Sequence, residues 1–234
     1  MMRSASVRVS TRILPKNEKV GRCERWLHEP RIVPQSWRRI KRAGDILTSA
    51  ALLVILAPVF AAVALAIRLT SEGSVIFSQV RVGQGGRLFR LHKFRTMVDG
   101  AHLLHERVAH LNEIDGPALK IANDPRLHGL GPFLRRTSLD ELPQLWNVLR
   151  GDMSMVGPRP ALPREVESYE PHYFQRLTVA PGLTGLWQVS GRTRVPFRRW
   201  MAMDIWYARH WSPLIDAAIV LRTIPAVVGG QGAC

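Results

Sequence analysis

Residues 46–67 read ILTSAALLVILAPVFAAVALAI, a run of 22 positions without a charged side chain. At about 1.5 Å per residue, a straight helix of this length would cross the roughly 30 Å hydrocarbon core of a bilayer. The run is too long and begins too far from the N-terminus for a signal peptide, and no small-residue cleavage site follows Ile67. It therefore predicts a helix that lies in lipid.

Two features bear on whether this helix spans the bilayer. Pro58 lies near its middle, where proline removes a backbone hydrogen bond and bends a helix. Both flanks are basic, and positive residues favour the cytoplasmic side of a membrane. A re-entrant helix that enters and leaves through one leaflet puts both flanks on that side, and a kinked single span remains the alternative. The flanking residues are Arg38, Arg39, Lys41 and Arg42 before the run and Arg68, Arg81, Arg87, Arg90, Lys93 and Arg95 after it.

The chain is strongly basic, and the charge is unevenly placed. Its 234 residues carry 33 Lys or Arg against 18 Asp or Glu, a net charge of +15. This indicates an anionic partner: nucleic acid, a membrane surface or a phosphorylated small molecule. Residues 1–37 lack apolar periodicity and contain three prolines, which predicts a mobile basic tail. Cys23 and Cys234 are too few for a disulfide framework or a zinc site, which is compatible with a reducing cytoplasm.

The sequence after residue 70 mixes strand and helix signals. Residues 75–82 and 87–95 flank the glycine-rich turn 83–86 and predict a β-hairpin, and no Gly-Lys-Ser/Thr follows to make that turn a P-loop. Residues 97–113 predict a polar helix whose histidines are solvated positions rather than metal ligands. The aromatic and aliphatic residues of 200–228 predict either an interfacial amphipathic helix or ordinary core packing.

Adjacent carboxylates, Asp140 and Glu141, lie in the run RRTSLDELP of residues 135–143. Ser138 and Glu141 fit a helix capping box at the start of an apolar helical stripe, which is a structural role. Carboxylates beside arginines also stay ionised, can hold a divalent cation and suit phosphate chemistry. Both interpretations are open on these residues alone.

Five motifs in order resemble the bacterial sugar transferases, also called monotopic phosphoglycosyl transferases. The resemblance covers residues 38–228 and is greatest to the short members that start exopolysaccharide repeat units. One departure is Ala57, where the family often has a serine that supports the bend at the proline. The motifs are KRAGD at 41–45, KFRTM at 93–97, SLDELPQLWNVLRGDMS at 138–154, VGPRP at 156–160 and PGLTGLWQVSGR at 181–192.

The resemblance implies a fold and a reaction. The fold is α+β and mostly helical: a re-entrant membrane helix at 38–70 and a catalytic domain at 71–230 that carries a small β-hairpin and interfacial amphipathic helices. The reaction moves a hexose-1-phosphate from a UDP-sugar to polyprenyl (undecaprenyl) phosphate and releases UMP. Asp140 would be the nucleophile of a covalent aspartyl-phosphosugar intermediate, and Asp140 and Glu141 would bind Mg²⁺. The substrate-binding candidates are Arg135, Arg159, Arg192, Lys93 and Arg95.

The implied partners are a UDP-hexose, polyprenyl phosphate and the cytoplasmic membrane, with the catalytic domain on the cytoplasmic face. A homodimer is an open alternative to a single chain. The competing classes are a membrane-tethered basic nucleic-acid-binding protein and a non-enzymatic membrane scaffold. We do not expect nucleic acid as a partner, because the sequence has no basic recognition helix and no basic residues interleaved with stacking aromatics.

Overall fold

The computed structural model describes residues 34–112, 121, 123–191 and 195–229. Helices and short 3₁₀ turns make up most of it, and two small two-stranded sheets complete an α+β fold. The mostly helical α+β part of the fold-class prediction is therefore confirmed. The tail expected at residues 1–37 lies outside the described residues except for its last four positions.

The apolar run forms two helices, α1 (Gln35–Ile55) and α2 (Ala57–Thr70), which meet at Leu56 at an angle of 60°. The break comes where sequence predicts it, because Pro58 is tolerated in the first turn of a new helix and not in the interior of a continuous one. Within the described residues, neither helix alone has the length and apolar character of a membrane span, whereas the bent pair has both.

The predicted hairpin is confirmed as strands β1 (Ile76–Val82) and β2 (Leu88–Phe94), antiparallel with Ile76 opposite Phe94 and Val82 opposite Leu88. Gly85 and Gly86 adopt positive φ angles in the turn, which a residue with a side chain resists. Because opposed residues share a face, Arg81 and Lys93 project from the same face of the hairpin.

The middle of the chain is less regular than its sequence predicts. The expected polar helix over 97–113 is wrong: of the described residues 97–112, only α3 (His105–Val108) is α-helical, between 3₁₀ turns at Ala101–Leu104 and Ala109–Leu111. Met97 instead forms a β-bridge with Leu127, a tertiary pairing that overrides the local helical preference. Helices α4 (Gly131–Arg136) and α5 (Gln144–Arg150) follow, joined through a 3₁₀ turn at Leu139–Glu141.

The C-terminal part surrounds a parallel pair of short strands, β3 (Ser154–Val156) and β4 (Gly182–Thr184). Between them come α6 (Pro163–Glu167) and a long 3₁₀ turn, Pro171–Thr178. After them come α7 (Leu186–Val189), α8 (Phe197–His210) and α9 (Pro213–Val228). Helix α9 leaves a row of large apolar side chains exposed, as an interfacial helix would: Leu214, Val220, Leu221 and Ile224.

Polar residues of the KRAGD motif fasten α1 to the rest of the chain. Lys41 pairs with Asp216 at 2.5 Å, and Arg42 donates to the carbonyls of Val148 and Leu149 at the end of α5. The buried Asp45 accepts from the backbone nitrogen of Met155 at 2.9 Å. Lys41 and Arg42, which flank the apolar run and belong to the first motif, therefore also hold the first half of the bent pair against the globular part.

Candidate active site

The turn that carries the two carboxylates rests on the bent helix pair. Leu139 and Leu142, on either side of Asp140 and Glu141, pack against a cluster that joins Val63 and Ile67 of α2 to Phe94 and Leu134. Apolar burial of this kind fixes the turn in place and keeps the acidic pair next to α2.

The capping-box interpretation of this turn is wrong. Ser138 makes no side-chain capping bond and adopts a left-handed conformation, φ 57°, which no other described non-glycine residue has. Such a conformation costs energy and concentrates at functional sites. Asp140 points inward, with its side chain 9% exposed, whereas Glu141 is half-exposed.

Lys93, from β2, lies between the two carboxylates. Its Nζ is 2.6 Å from Oε1 of Glu141 and 3.6 Å from Oδ2 of Asp140. Burial raises the pKa of Asp140 to about 6, Lys93 and Arg135 act against that rise, and Glu141 adds to it. Asp140 is therefore a shielded carboxylate that is ionised at neutral pH. Its pKa lies close to neutral pH, as the pKa values of functional carboxyl groups often do.

Arg135 and Arg95 are both predicted from the sequence to bind substrate, but they lie in different surroundings in the structure. The Nε of Arg135 donates to Oγ1 of Thr96 at 3.2 Å, and the positive charge of Arg135 acts to lower the pKa of Asp140. Arg95 is buried and donates to the carbonyls of Ser71 and Glu72, just past the end of α2. Arg135 thus lies close enough to affect the acidic pair, while Arg95 binds the backbone just past the end of α2.

Arg159 is presented by the loop that leaves β3. Gly157 and Gly182 pass so close that a Cβ on either would overlap the backbone of the other, which explains the glycines. The guanidinium of Arg159 lies over Trp200, 5.5 Å from the ring centroid, and its Nη1 is 3.7 Å from Oε2 of the buried Glu165. Arg192, the third arginine expected at the site, lies outside the described residues.

Two further arginines support this loop, and sequence reasoning missed both. Arg176 is fully enclosed, donates to the carbonyl of Arg159 at 2.7 Å and forms a two-bond ion pair with Asp204. Arg81 is buried and donates to the carbonyl of Pro160 at 3.1 Å. Local sequence offers no signal for either, because the partners are remote in the chain.

Asp140 and Glu141 suit Mg²⁺ as a pair and do not form a complete protein cage. Mg²⁺ takes oxygen ligands, keeps several waters and is bound through one or two carboxylates together with substrate phosphates. Within the described ranges, no group of three or more His, Cys, Asp or Glu side chains could hold a metal ion. The donor set therefore fits a cation that arrives with a phosphorylated substrate.

Comparison with known proteins agrees with this geometry. Residues 36–230 match the family model described as bacterial sugar transferase. The chain belongs to the bacterial sugar transferase family. The resemblance of the five motifs is thereby confirmed, and with it the expectation of a sugar-transferring enzyme.

Several curated sugar transferases are similar to the chain over most of its length. The exopolysaccharide production protein ExoY of Rhizobium meliloti is 40% identical over 196 residues, which cover 82% of this chain and 87% of ExoY. The UDP-glucose:undecaprenyl-phosphate glucose-1-phosphate transferase of Caulobacter vibrioides is 42% identical over 80% of this chain and 69% of its own. The undecaprenyl-phosphate galactose phosphotransferase of Salmonella typhimurium is 41% identical over 86% of this chain, which spans 43% of that longer relative.

Proposed function

We propose that this sugar transferase moves a hexose-1-phosphate from a UDP-sugar to undecaprenyl phosphate and releases UMP, as a first step in building an exopolysaccharide repeat unit. One observation carries the proposal: a shielded, ionisable carboxylate, Asp140, lies beside a lysine on a turn that packs against α2 of the bent apolar helix pair. The activities for which the Salmonella and Caulobacter relatives are named support it. They differ in the sugar, so the hexose is left unassigned.

In the first half-reaction, an Oδ atom of Asp140 attacks the sugar-bearing phosphorus of the donor. A bond forms from carboxylate oxygen to phosphorus, the bond from that phosphorus to the bridging oxygen breaks, and UMP leaves with the electron pair. Burial strips Asp140 of water that would weaken its attack, and Lys93 keeps it ionised at neutral pH by lowering its pKa. Arg135, next to the pair, can neutralise charge on the transferred phosphoryl group.

Mg²⁺, when bound, would neutralise the donor's diphosphate and stabilise the leaving UMP. Glu141 is the better placed of the two carboxylates to meet it, since its side chain is 37% exposed whereas that of Asp140 is 9% exposed. Lys93 would then release Glu141 and keep its contact with Asp140. We propose both carboxylates as ligands of this cation.

In the second half-reaction, an oxygen of undecaprenyl phosphate attacks the phosphorus held by Asp140, and the carboxylate is released unchanged. The acceptor's phosphate lies at the membrane surface, so the nucleophile must lie there too. The packing of Leu139 and Leu142 on the α2 cluster, which keeps Asp140 next to the apolar segment, supports this position. A two-step mechanism needs each substrate only in turn, which suits a site between water and lipid.

The same contacts favour re-entry over a single span. Asp45 near the start of the apolar run and Ile67 at its end both pack against the globular part, while Val54 and Ile55 at the bend are 75% and 69% exposed. A spanning segment would separate its two ends by about 30 Å of hydrocarbon. We therefore place both ends on one face of the membrane, the cytoplasmic one, because nucleotide sugars are made there.

A membrane-impermeant thiol reagent tests this topology. In a chain with Cys23 and Cys234 changed to serine, Arg39→Cys and Ser74→Cys should both be labelled in inverted vesicles and protected in right-side-out vesicles. Val54→Cys should resist labelling from either side. Labelling of positions 39 and 74 from opposite sides would establish a span and end the re-entrant interpretation.

The reaction itself is tested by UMP release from a panel of UDP-hexoses, with and without undecaprenyl phosphate and Mg²⁺. The proposal predicts turnover with at least one UDP-hexose that needs the lipid acceptor, and a lipid product carrying one hexose phosphate. If no UDP-hexose releases UMP from enzyme that is folded in lipid, the proposed reaction is wrong.

A further inference from the structure

Two neighbouring guanidinium groups near the acidic pair have unused donors. The Nε of Arg81 and the Nη1 of Arg159 are both shielded from solvent, and neither forms a hydrogen bond to any part of the chain that the structure describes. A buried N–H without a partner costs about 1–3 kcal/mol, more for a charged group, so two such donors on neighbouring arginines call for an explanation.

The two guanidinium groups also have too little negative charge around them to balance their own positive charges. Burial lowers the pKa of Arg81 to about 9, and the positive charge of Arg159 adds to this effect. The negative charges of Glu165 and Glu141 act to raise it. Glu165 is the nearest counter-charge to Arg159, at 3.7 Å, and it also accepts from the backbone nitrogen of Leu162. Two positive groups therefore share one buried carboxylate, and a phosphate would both balance the charge and accept from the unused donors.

The hairpin relates this pair to the nucleophile. Lys93 lies opposite Phe77 and Arg81 opposite Phe89 on one face, so their backbones are four residues apart along β1, about 13 Å. Lys93 contacts Asp140, whereas Arg81 is in electrostatic range of Glu141 and Arg159. Along this face, the nucleophile lies at Lys93, Glu141 comes next, and the unused donors lie at Arg81 and Arg159.

We propose that Arg81 is a further donor-binding residue, and that together with Arg159 it holds the uridine-side phosphate of the UDP-sugar. This inference rests on the proposed function. The sugar-bearing phosphate must lie against Asp140, so the second phosphate would lie farther along the hairpin face, within reach of the Nε of Arg81 and the Nη1 of Arg159. Arg81 would contact the phosphate of UMP before the donor reacts and after UMP has formed.

The test measures dissociation constants of UMP and UDP by titration calorimetry on the full chain in lipid nanodiscs. Arg81→Gln should weaken UMP binding by about ten- to a hundred-fold, the range expected for a lost hydrogen bond between charged groups. Arg90→Gln is the matched control, because Arg90 is exposed on the opposite face of the same hairpin and its loss removes the same charge. Its UMP affinity should equal that of the wild type.

A second variant separates direct contact from support of the loop. If Arg81 acted only by holding Pro160 and hence Arg159, adding Arg81→Gln to Arg159→Gln would cause no further loss of UMP affinity. Direct contact predicts a further loss of several-fold. Arg81→Lys, which keeps the charge and the stem, should fold and bind UMP more weakly than wild type, and it decides the matter if Arg81→Gln does not fold.

The outcomes are distinct. Unchanged UMP affinity in Arg81→Lys and Arg81→Gln overturns the proposal, and so does the absence of a further loss in the Arg159→Gln background. Weaker UDP binding with unchanged UMP binding overturns the assignment to the uridine-side phosphate. If the wild type neither binds UDP nor releases UMP from any UDP-hexose, the proposed function fails instead.

Discussion

Replacing Asp140 with asparagine should abolish turnover and at the same time stabilise the fold. Burial raises the pKa of this carboxyl from 3.8 to about 6, so the folded protein disfavours the charged form that catalysis requires. One pKa unit corresponds to about 1.36 kcal/mol, so the ionised carboxylate costs the fold about 3 kcal/mol at pH 7. Asparagine has nearly the same shape and no charge, and Lys93 keeps its partner Glu141 at 2.6 Å.

The sign of the pH dependence follows from the raised pKa. Above pH 6 the wild type carries the full cost and Asp140→Asn is more stable by up to about 3 kcal/mol. As pH falls from about 6 towards 3.8 the folded protein takes up a proton that the unfolded chain does not, and the advantage of asparagine disappears.

Thermal unfolding of both proteins in nanodiscs between pH 4.5 and 8 measures this difference. At pH 7.5 the midpoint of Asp140→Asn should be higher by several degrees, since 1 kcal/mol shifts a domain of this size by about 2–4 °C. Glu167→Gln, which removes an equal charge at an exposed position, should leave the midpoint unchanged. A less stable Asp140→Asn protein, or a difference that does not vary with pH, would refute the reasoning.

Three other perturbations test the site and its support. Lys93→Met removes the main influence that lowers the pKa of Asp140. The acid limb of the UMP-release pH profile, near pH 6 in the wild type, should therefore move to higher pH. An acid limb that does not move would contradict the contact between Lys93 and Asp140. Asp204→Asn leaves Arg176 as an unpaired buried charge and should lower the free energy of unfolding by about 3–5 kcal/mol in urea titrations, whereas a loss below 1 kcal/mol would show that the pair is dispensable. Chelation with EDTA should stop UMP release and added Mg²⁺ should restore it, whereas release that persists in EDTA would exclude a required cation.

Local signals in the sequence predicted the parts of the fold that local chemistry controls. Pro58 fixes where the apolar run breaks, because its ring and missing N–H act on the same helix. The glycines of the hairpin turn fix the register of β1 and β2 for a similar reason, since Gly85 and Gly86 supply the positive φ angles. Asp140, Glu141, Lys93 and Arg135 were named from motifs, and the fold brings these four together.

Pairings between distant residues could not be predicted in this way. Arg81 bonds to a carbonyl 79 positions away and Lys41 to a carboxylate 175 positions away, and nothing near either residue announces its partner. The same holds for Met97, whose bridge to Leu127 breaks the expected helix. The raised pKa of Asp140 also depends on burial by remote elements, so sequence identified the nucleophile candidate without its electrostatic state.

The most direct measurement is the intact mass of the enzyme after exposure to its UDP-hexose without acceptor lipid. We expect one hexose phosphate per chain, mapped by peptide fragmentation to Asp140, with an equal amount of UMP in solution. Adding undecaprenyl phosphate should remove the adduct, and Asp140→Asn should never acquire it. Lipid product formed without any adduct, or an adduct on Glu141 instead, would contradict the assignment of Asp140 as the nucleophile.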